Sequence, residues 1–150
     1  MDSLQLYTIC KNLFGPIFEG VYAKNQLPVG NKPNRAFIIN TDTSNLPGQH
    51  WIAVVVKENK GYIFDSLCML PPPLRLVYWM NQRYENWEYN KRQVQPIDSI
   101  LCGVYCIHFL YYAIYTNHLL NVLFDNLYPP TSSINSYENS VKHFVNSVLD

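Results

Sequence analysis

Apolar residues at Leu6, Ile9, Cys10 and Leu13 fall at i, i+3, i+4 and i+7, the spacing of one helix face. Gly15-Pro16 closes that helix. Residues 15–35 carry Gly15, Pro16, Gly20, Pro28, Gly30 and Pro33, and punctuation this dense predicts a loop. Ala36–Asn40 is a short apolar run and predicts a strand. Leu46-Pro47-Gly48 predicts a turn. Trp51–Val56 is apolar at every position and rich in β-branched residues, so it predicts a central strand buried on both faces. Glu58–Lys60 turns the chain into a third strand, Tyr62–Phe64, which ends at Asp65-Ser66. Pro71-Pro72-Pro73 is stiff, and its last proline is placed to start a helix over Leu74–Tyr84. Glu88–Val94 predicts a further strand. A long helix is expected from Cys102 to about Leu123, and Pro129-Pro130 breaks the chain after it. Ile134, Tyr137, Val141, Phe144, Val145 and Val148 form a helical stripe at the C-terminus. The pattern predicts an α+β fold, a small central mixed β-sheet flanked by helices.

The length, 150 residues, fits a single domain spanning 1–150. Hydrophobic residues make up 48% and charged residues only 15%, a balance that argues against disorder. Eleven Lys and Arg offset eleven Asp and Glu, which excludes a strongly basic chain that coats nucleic acid. The four cysteines (Cys10, Cys68, Cys102, Cys106) make no paired framework, and the N-terminus has no apolar leader pattern, so a reducing, non-secretory compartment is expected. Residues 99–124 hold no Asp, Glu, Lys or Arg, yet His108, Asn117, His118 and Asn121 interrupt the run. A buried helix is expected there, not a membrane span.

Four residues suggest chemistry. His50 immediately precedes the apolar strand, Asp65 ends the next strand, Gln95 opens a polar loop, and Cys102 begins the longest helix. A cysteine nucleophile reacts as its thiolate, which a helix N-terminus favours. An imidazole takes the thiol proton and returns it to the leaving amine, and a carboxylate fixes the imidazole. A Gln amide and the backbone N–H at the nucleophile can hold the oxyanion. Hairpin strands would set His50 and Asp65 side by side at one sheet edge. Taken singly, each residue has a plainer reading: a structural His, a turn-forming Asp, a buried Cys, an unremarked Gln. Cys102, Cys106 and His108 fit no standard zinc spacing, so no metal site is expected, and Cys10, Cys68 and Cys106 read as structural.

Together the segments GQHW (48–51), YIFDS (62–66) and QPIDSILCGVYC (95–106) resemble the adenain family of adenovirus-type maturation endopeptidases. They are similar also to Polinton-type proteases and to the wider clan that includes the SUMO-deconjugating proteases, in which a papain-like site is rearranged in chain order. Gln95 precedes Cys102 by the family's seven residues. Gly20, Tyr22 and Lys24 match an N-terminal family stretch, and AFIINT (36–41) also fits. The resemblance covers about residues 4–112. It implies His50 as general base and acid, Asp65 as the orienting acid, Gln95 as an oxyanion donor and Cys102 as nucleophile. Trp51 and Gly103 are candidate substrate-binding positions, with packing beside the His the stronger reading for Trp51. The implied activity is endoproteolysis of viral structural precursors at small, Gly-containing sites during virion maturation, in the virion and the host cell interior.

Two departures shape the expected partners. Adenains are activated by a viral peptide disulfide-bonded to a cysteine upstream of the Gln, but no cysteine lies between Cys68 and Cys102. An activating peptide would therefore bind non-covalently. Adenains also use DNA as a cofactor and are basic, whereas this chain is neutral and Lys91-Arg92 is too small a patch to argue for DNA. No cofactor is required by the sequence. The alternatives are a deconjugase of a ubiquitin-like modifier, an acyltransferase (against which Gln95 and the N-terminal match argue) and an inactive pseudoprotease serving as a binding module in particle assembly.

Overall fold

The computed structural model describes residues 1–41 and 50–149; the turn expected at 46–48 and the Gly48-Gln49 part of GQHW lie outside them. The order is α1 (Ser3–Phe14), β1 (Phe18–Ala23), β2 (Arg35–Asn40), β3 (Trp51–Lys57), β4 (Lys60–Phe64), α2 (Leu74–Arg83), β5 (Asn86–Tyr89), α3 (Cys102–Tyr115), α4 (Leu120–Leu127) and α5 (Ile134–Val148). The strands form one five-stranded sheet in the order β1-β2-β3-β4-β5. The central pairs β2–β3 and β3–β4 are antiparallel and the outer pairs β1–β2 and β4–β5 are parallel, so the sheet is mixed. The fold is α+β, as the hydrophobic pattern predicts.

Strand periodicity explains why the middle strands lack polar positions. Trp51, Ala53 and Val55 of β3 join one core, with Ala36 and Ile38 of β2 and Tyr62 and Phe64 of β4. The alternate residues, Ile52, Val54 and Val56 with Phe37, Ile39 and Ile63, join a second core on the other face. Helices α1, α3, α4 and α5 cover the first face, and α2 covers the second through Leu76, Trp79 and Met80. The first core is aromatic at its centre, where Phe64 and Phe109 stack at 4.5 Å.

Three expectations need correction. Residues 15–35 are not all loop, because Phe18–Ala23 forms the edge strand β1. Its register shifts between Phe18 and Val21, around Gly20 at φ 154, so the glycine that reads as punctuation is a bulge inside a strand. The helix from Cys102 stops at Tyr115, where Thr116 Oγ1 turns back to the Tyr112 carbonyl and Lys57 Nζ donates to the Thr116 carbonyl at 2.7 Å. These side-chain bonds cap the end, and a separate α4 follows. The strand expected over Glu88–Val94 is Asn86–Tyr89, because the Asn90 side chain turns inward to bond the backbone of Asp65.

Candidate active site

The site lies where β3 begins and β4 ends. The His50 backbone is fixed by Thr41, whose N–H donates to the His50 carbonyl at 3.0 Å and extends the β2–β3 pairing by one step. Asp65 follows β4 directly. Antiparallel pairing of Ala53 with Phe64 brings these two strand ends together, and His50 Nε2 meets Asp65 Oδ1 at 2.7 Å. Both residues are buried.

The carboxylate of Asp65 is held on every side. Oδ1 also accepts from Leu67 N–H at 3.0 Å, and Oδ2 accepts from Met69 N–H at 3.1 Å. Asn90 closes the backbone, its Oδ1 accepting from Asp65 N–H at 2.8 Å and its Nδ2 donating to the Asp65 carbonyl at 2.7 Å. A carboxylate bound this way cannot swing away from the imidazole.

With Nε2 taken by Asp65, the nitrogen left on His50 is Nδ1. It is buried. Burial alone favours the neutral ring, but hydrogen bonds and charge from Asp65 and Cys102 outweigh it and lift the His50 pKa from 6.5 to about 9. Cys102 therefore lies close enough to act on the same ring. It is the first residue of α3, with Leu101 as N-cap and no side chain capping the helix. The N-terminal end of this helix favours an anion beside the thiol.

Gln95 is 1% exposed. Its Oε1 accepts from Ser66 Oγ at 2.5 Å, and its Nε2 donates to the Ser99 carbonyl at 2.9 Å. The Ser66 carbonyl accepts from both Val94 N–H and Gln95 N–H. Asp65-Ser66 therefore holds two of the candidate groups, the first residue binding His50 and the second Gln95. In the sequence this pair reads as a strand end, and neither Ser66 nor Asn90 stands out. The signal for Ser66 was present in the polar pair itself; the signal for Asn90 was not.

The loop from Gln95 to Leu101 is tied to the C-terminal helices. Ser99 Oγ donates to Glu138 Oε1 at 2.8 Å, and the Tyr105 hydroxyl donates to Glu138 Oε2. Arg92 bonds Asp125 Oδ1 at 2.8 Å and the Tyr128 carbonyl at 2.5 Å.

The other sequence candidates are interior. Trp51 is 2% exposed. A Cβ on Gly103 would stand 3.3 Å from Leu6 and 3.4 Å from Trp51, so the bare glycine lets α3 pack against α1 and β3. Cys106 is fully buried, its thiol donating to the Trp51 carbonyl, and burial raises its pKa well above 9. Burial pushes Cys10 up to about 12. Cys68 is half-buried. His108 turns Nδ1 to the Tyr128 hydroxyl at 2.8 Å, so it does not converge with the two helix cysteines on a common point. Among the described residues no helix is long and apolar enough to cross a membrane.

The arrangement is an imidazole held by a fixed carboxylate and influenced by a thiol at a helix N-terminus, with a buried amide anchored to the residue after that carboxylate. Proteins described as proteases and effectors share the fold that carries it. The ASFV pS273R protease matches over 79% of this chain and 44% of its own, at 18% identity and a TM-score of 0.54. The Chlamydia abortus effector protein ChlaDUB matches over 78% of this chain and 58% of its own, at 15% identity and a TM-score of 0.55. The Chlamydia trachomatis effector protein Cdu1, solved bound to ubiquitin, matches over 81% of this chain and 67% of its own, at 16% identity and a TM-score of 0.55. The chain spans about half the length of the first two. No family model and no curated protein matches the sequence. At these identities the likeness is one of fold.

Proposed function

We propose that this chain is a cysteine peptidase acting on polypeptides, with Cys102 as nucleophile, His50 as general base and acid, Asp65 as the orienting carboxylate and Gln95 as an oxyanion donor. The observation that carries the reading is the His50–Asp65 contact at 2.7 Å with Cys102 acting on the same ring from the head of α3. The fold shared with the pS273R protease supports it.

In the proposed reaction the Cys102 thiol gives its proton to His50 and attacks the scissile carbonyl carbon. The carbonyl oxygen becomes an oxyanion, held by an N–H of Gln95 and by backbone N–H at the start of α3. His50 then protonates the leaving amine, and the C–N bond breaks to leave a thioester on Cys102. Water, deprotonated by His50, hydrolyses the thioester and restores the thiol. Asp65 keeps one ring nitrogen occupied, so the other serves each proton transfer. No metal or organic cofactor takes part in these steps.

The substrate we propose is a viral or viral-like structural precursor, cut at small Gly-containing sites during virion maturation inside the host cell. An activating peptide, if used, binds non-covalently. A second reading is favoured by one observation, the likeness to an effector solved with ubiquitin: deconjugation of a ubiquitin-like modifier. A panel of Gly-containing peptides and ubiquitin-like fusions, offered to wild type and Cys102→Ala, separates the two. Cys102-dependent cleavage of peptides with the fusions intact establishes the endopeptidase. Cleavage of the fusions alone establishes the deconjugase. Silence toward both, with and without viral peptides and DNA, establishes a binding module.

A further inference from the structure

The carbonyl and amide ends of Gln95 can be accounted for group by group. A primary amide offers two N–H donors and one carbonyl acceptor. Here Oε1 is taken by the Ser66 hydroxyl at 2.5 Å, and one N–H is taken by the Ser99 carbonyl at 2.9 Å. No other described residue takes the second N–H. The Ser99 carbonyl can only accept, so it fixes which end of the amide is nitrogen. Ser66 is fully buried, and its own carbonyl is occupied by Val94 and Gln95 backbone N–H. Its hydroxyl therefore has Gln95 Oε1 as its working partner.

Resting on the peptidase reading above, we propose that Ser66 is a positioning residue. Its hydroxyl anchors the carbonyl end of Gln95 so that one polarised amide N–H is kept for the oxyanion. Donation to an amide oxygen draws electron density from its nitrogen and strengthens the remaining N–H as a donor. The same bond stops a long, flexible side chain from leaving the site, and a donor displaced by about 1 Å loses much of its value in the transition state. Asp65 and Ser66 are adjacent and both leave β4 at its end. One dipeptide thus sets the geometry of the base and of the oxyanion donor together.

The test compares two reagents at Cys102. A Gly-Gly peptide aldehyde adds to the thiol and places its oxygen as an oxyanion mimic. Iodoacetamide displaces iodide and forms no oxyanion. Ser66→Ala is expected to weaken aldehyde binding about tenfold and lower kcat for peptide cleavage about tenfold, with KM and the iodoacetamide rate changed less than about twofold. Ser66→Thr, which keeps the hydroxyl, is expected to recover most of the loss. On a Gln95→Ala background, Ser66→Ala is expected to add less than about twofold, since the two act as one unit. Should Ser66→Ala fold poorly, Ser66→Cys, a weaker donor, takes its place with an intermediate loss. The proposal is overturned if Ser66→Ala keeps wild-type kcat, if alkylation falls in step with aldehyde binding, or if the two losses simply add. A wild-type Cys102 that is alkylated no faster than Cys68 and binds no aldehyde overturns the peptidase reading, and this proposal with it.

Discussion

Two buried histidines of this chain titrate in opposite directions, and the difference is one of partners. His50 faces Asp65 and Cys102, and its pKa rises to about 9. The unfolded chain releases this proton near 6.5, so the folded state binds more protons between pH 6.5 and 9. The stability from the His50 cation is complete below pH 6.5 and disappears as pH rises through 9. Peptide cleavage, which needs this imidazolium to protonate the leaving amine, should fall on the alkaline side with a limb near pH 9, read from the pH profile of kcat. A flat profile from pH 7 to 10 would remove the pairing. His108 bonds the Tyr128 hydroxyl, and burial lowers its pKa to about 4. Here the unfolded chain binds the extra proton, so stability is full above pH 6.5 and declines as pH falls toward 4, by about 3 kcal/mol. Urea midpoints taken at pH 7 and pH 4.5 should differ for wild type and differ much less for His108→Gln.

At the scale of elements, the sheet edge depends on a charge that the pattern of apolar positions does not announce. Arg35 opens β2 and is fully buried. It forms two bonds to Glu19 of β1, at 2.5 and 3.0 Å, reaches the carbonyls of Val29 and Gly30, and stacks over Trp79 of α2. One guanidinium therefore joins β1, the loop after it and the helix on that face. Removing one partner of such a pair leaves the other charge poorly compensated. Arg35→Ala should lower stability by about 3–5 kcal/mol, seen as a fall in the urea midpoint with its slope unchanged. An unchanged midpoint would show that the edge strand holds without it. Strand β1 escapes sequence reasoning for a related reason: an edge strand with a bulge at Gly20 lacks the continuous apolar run that marks β2 and β3.

Across the whole molecule, residues far apart in sequence meet at one end of the sheet. The family resemblance stops near residue 112, yet Glu138 of α5 holds Ser99 and Tyr105, on either side of Cys102. Tyr137, Val141 and Phe144 of the same helix complete the first core. Glu138→Ala should cost about 1–3 kcal/mol through two hydroxyls left without their acceptor. It should also slow peptide cleavage more than it slows iodoacetamide alkylation, because the loop it steadies carries Gln95. Equal rates in both assays would confine the C-terminal helix to a packing role.

Elements whose signals are local are legible in the amino-acid chain alone. Consecutive apolar residues placed β3 at the sheet centre, i, i+3, i+4 spacing placed α1 and α5, and the order His50, Asp65, Gln95, Cys102 marked the candidate site. Tertiary structure decided what depends on distant partners. Helix α3 ends at Tyr115 because Lys57 and Thr116 cap it, β5 ends at Tyr89 because Asn90 turns in to Asp65, and Gly103 is bare because Leu6 and Trp51 press against it. Each of these is a contact between residues many positions apart, or a side chain bonding backbone where periodicity predicts continuation. Hydrophobic period reports which face is buried; it does not report which polar group waits at the end of an element, and the site is built from those ends.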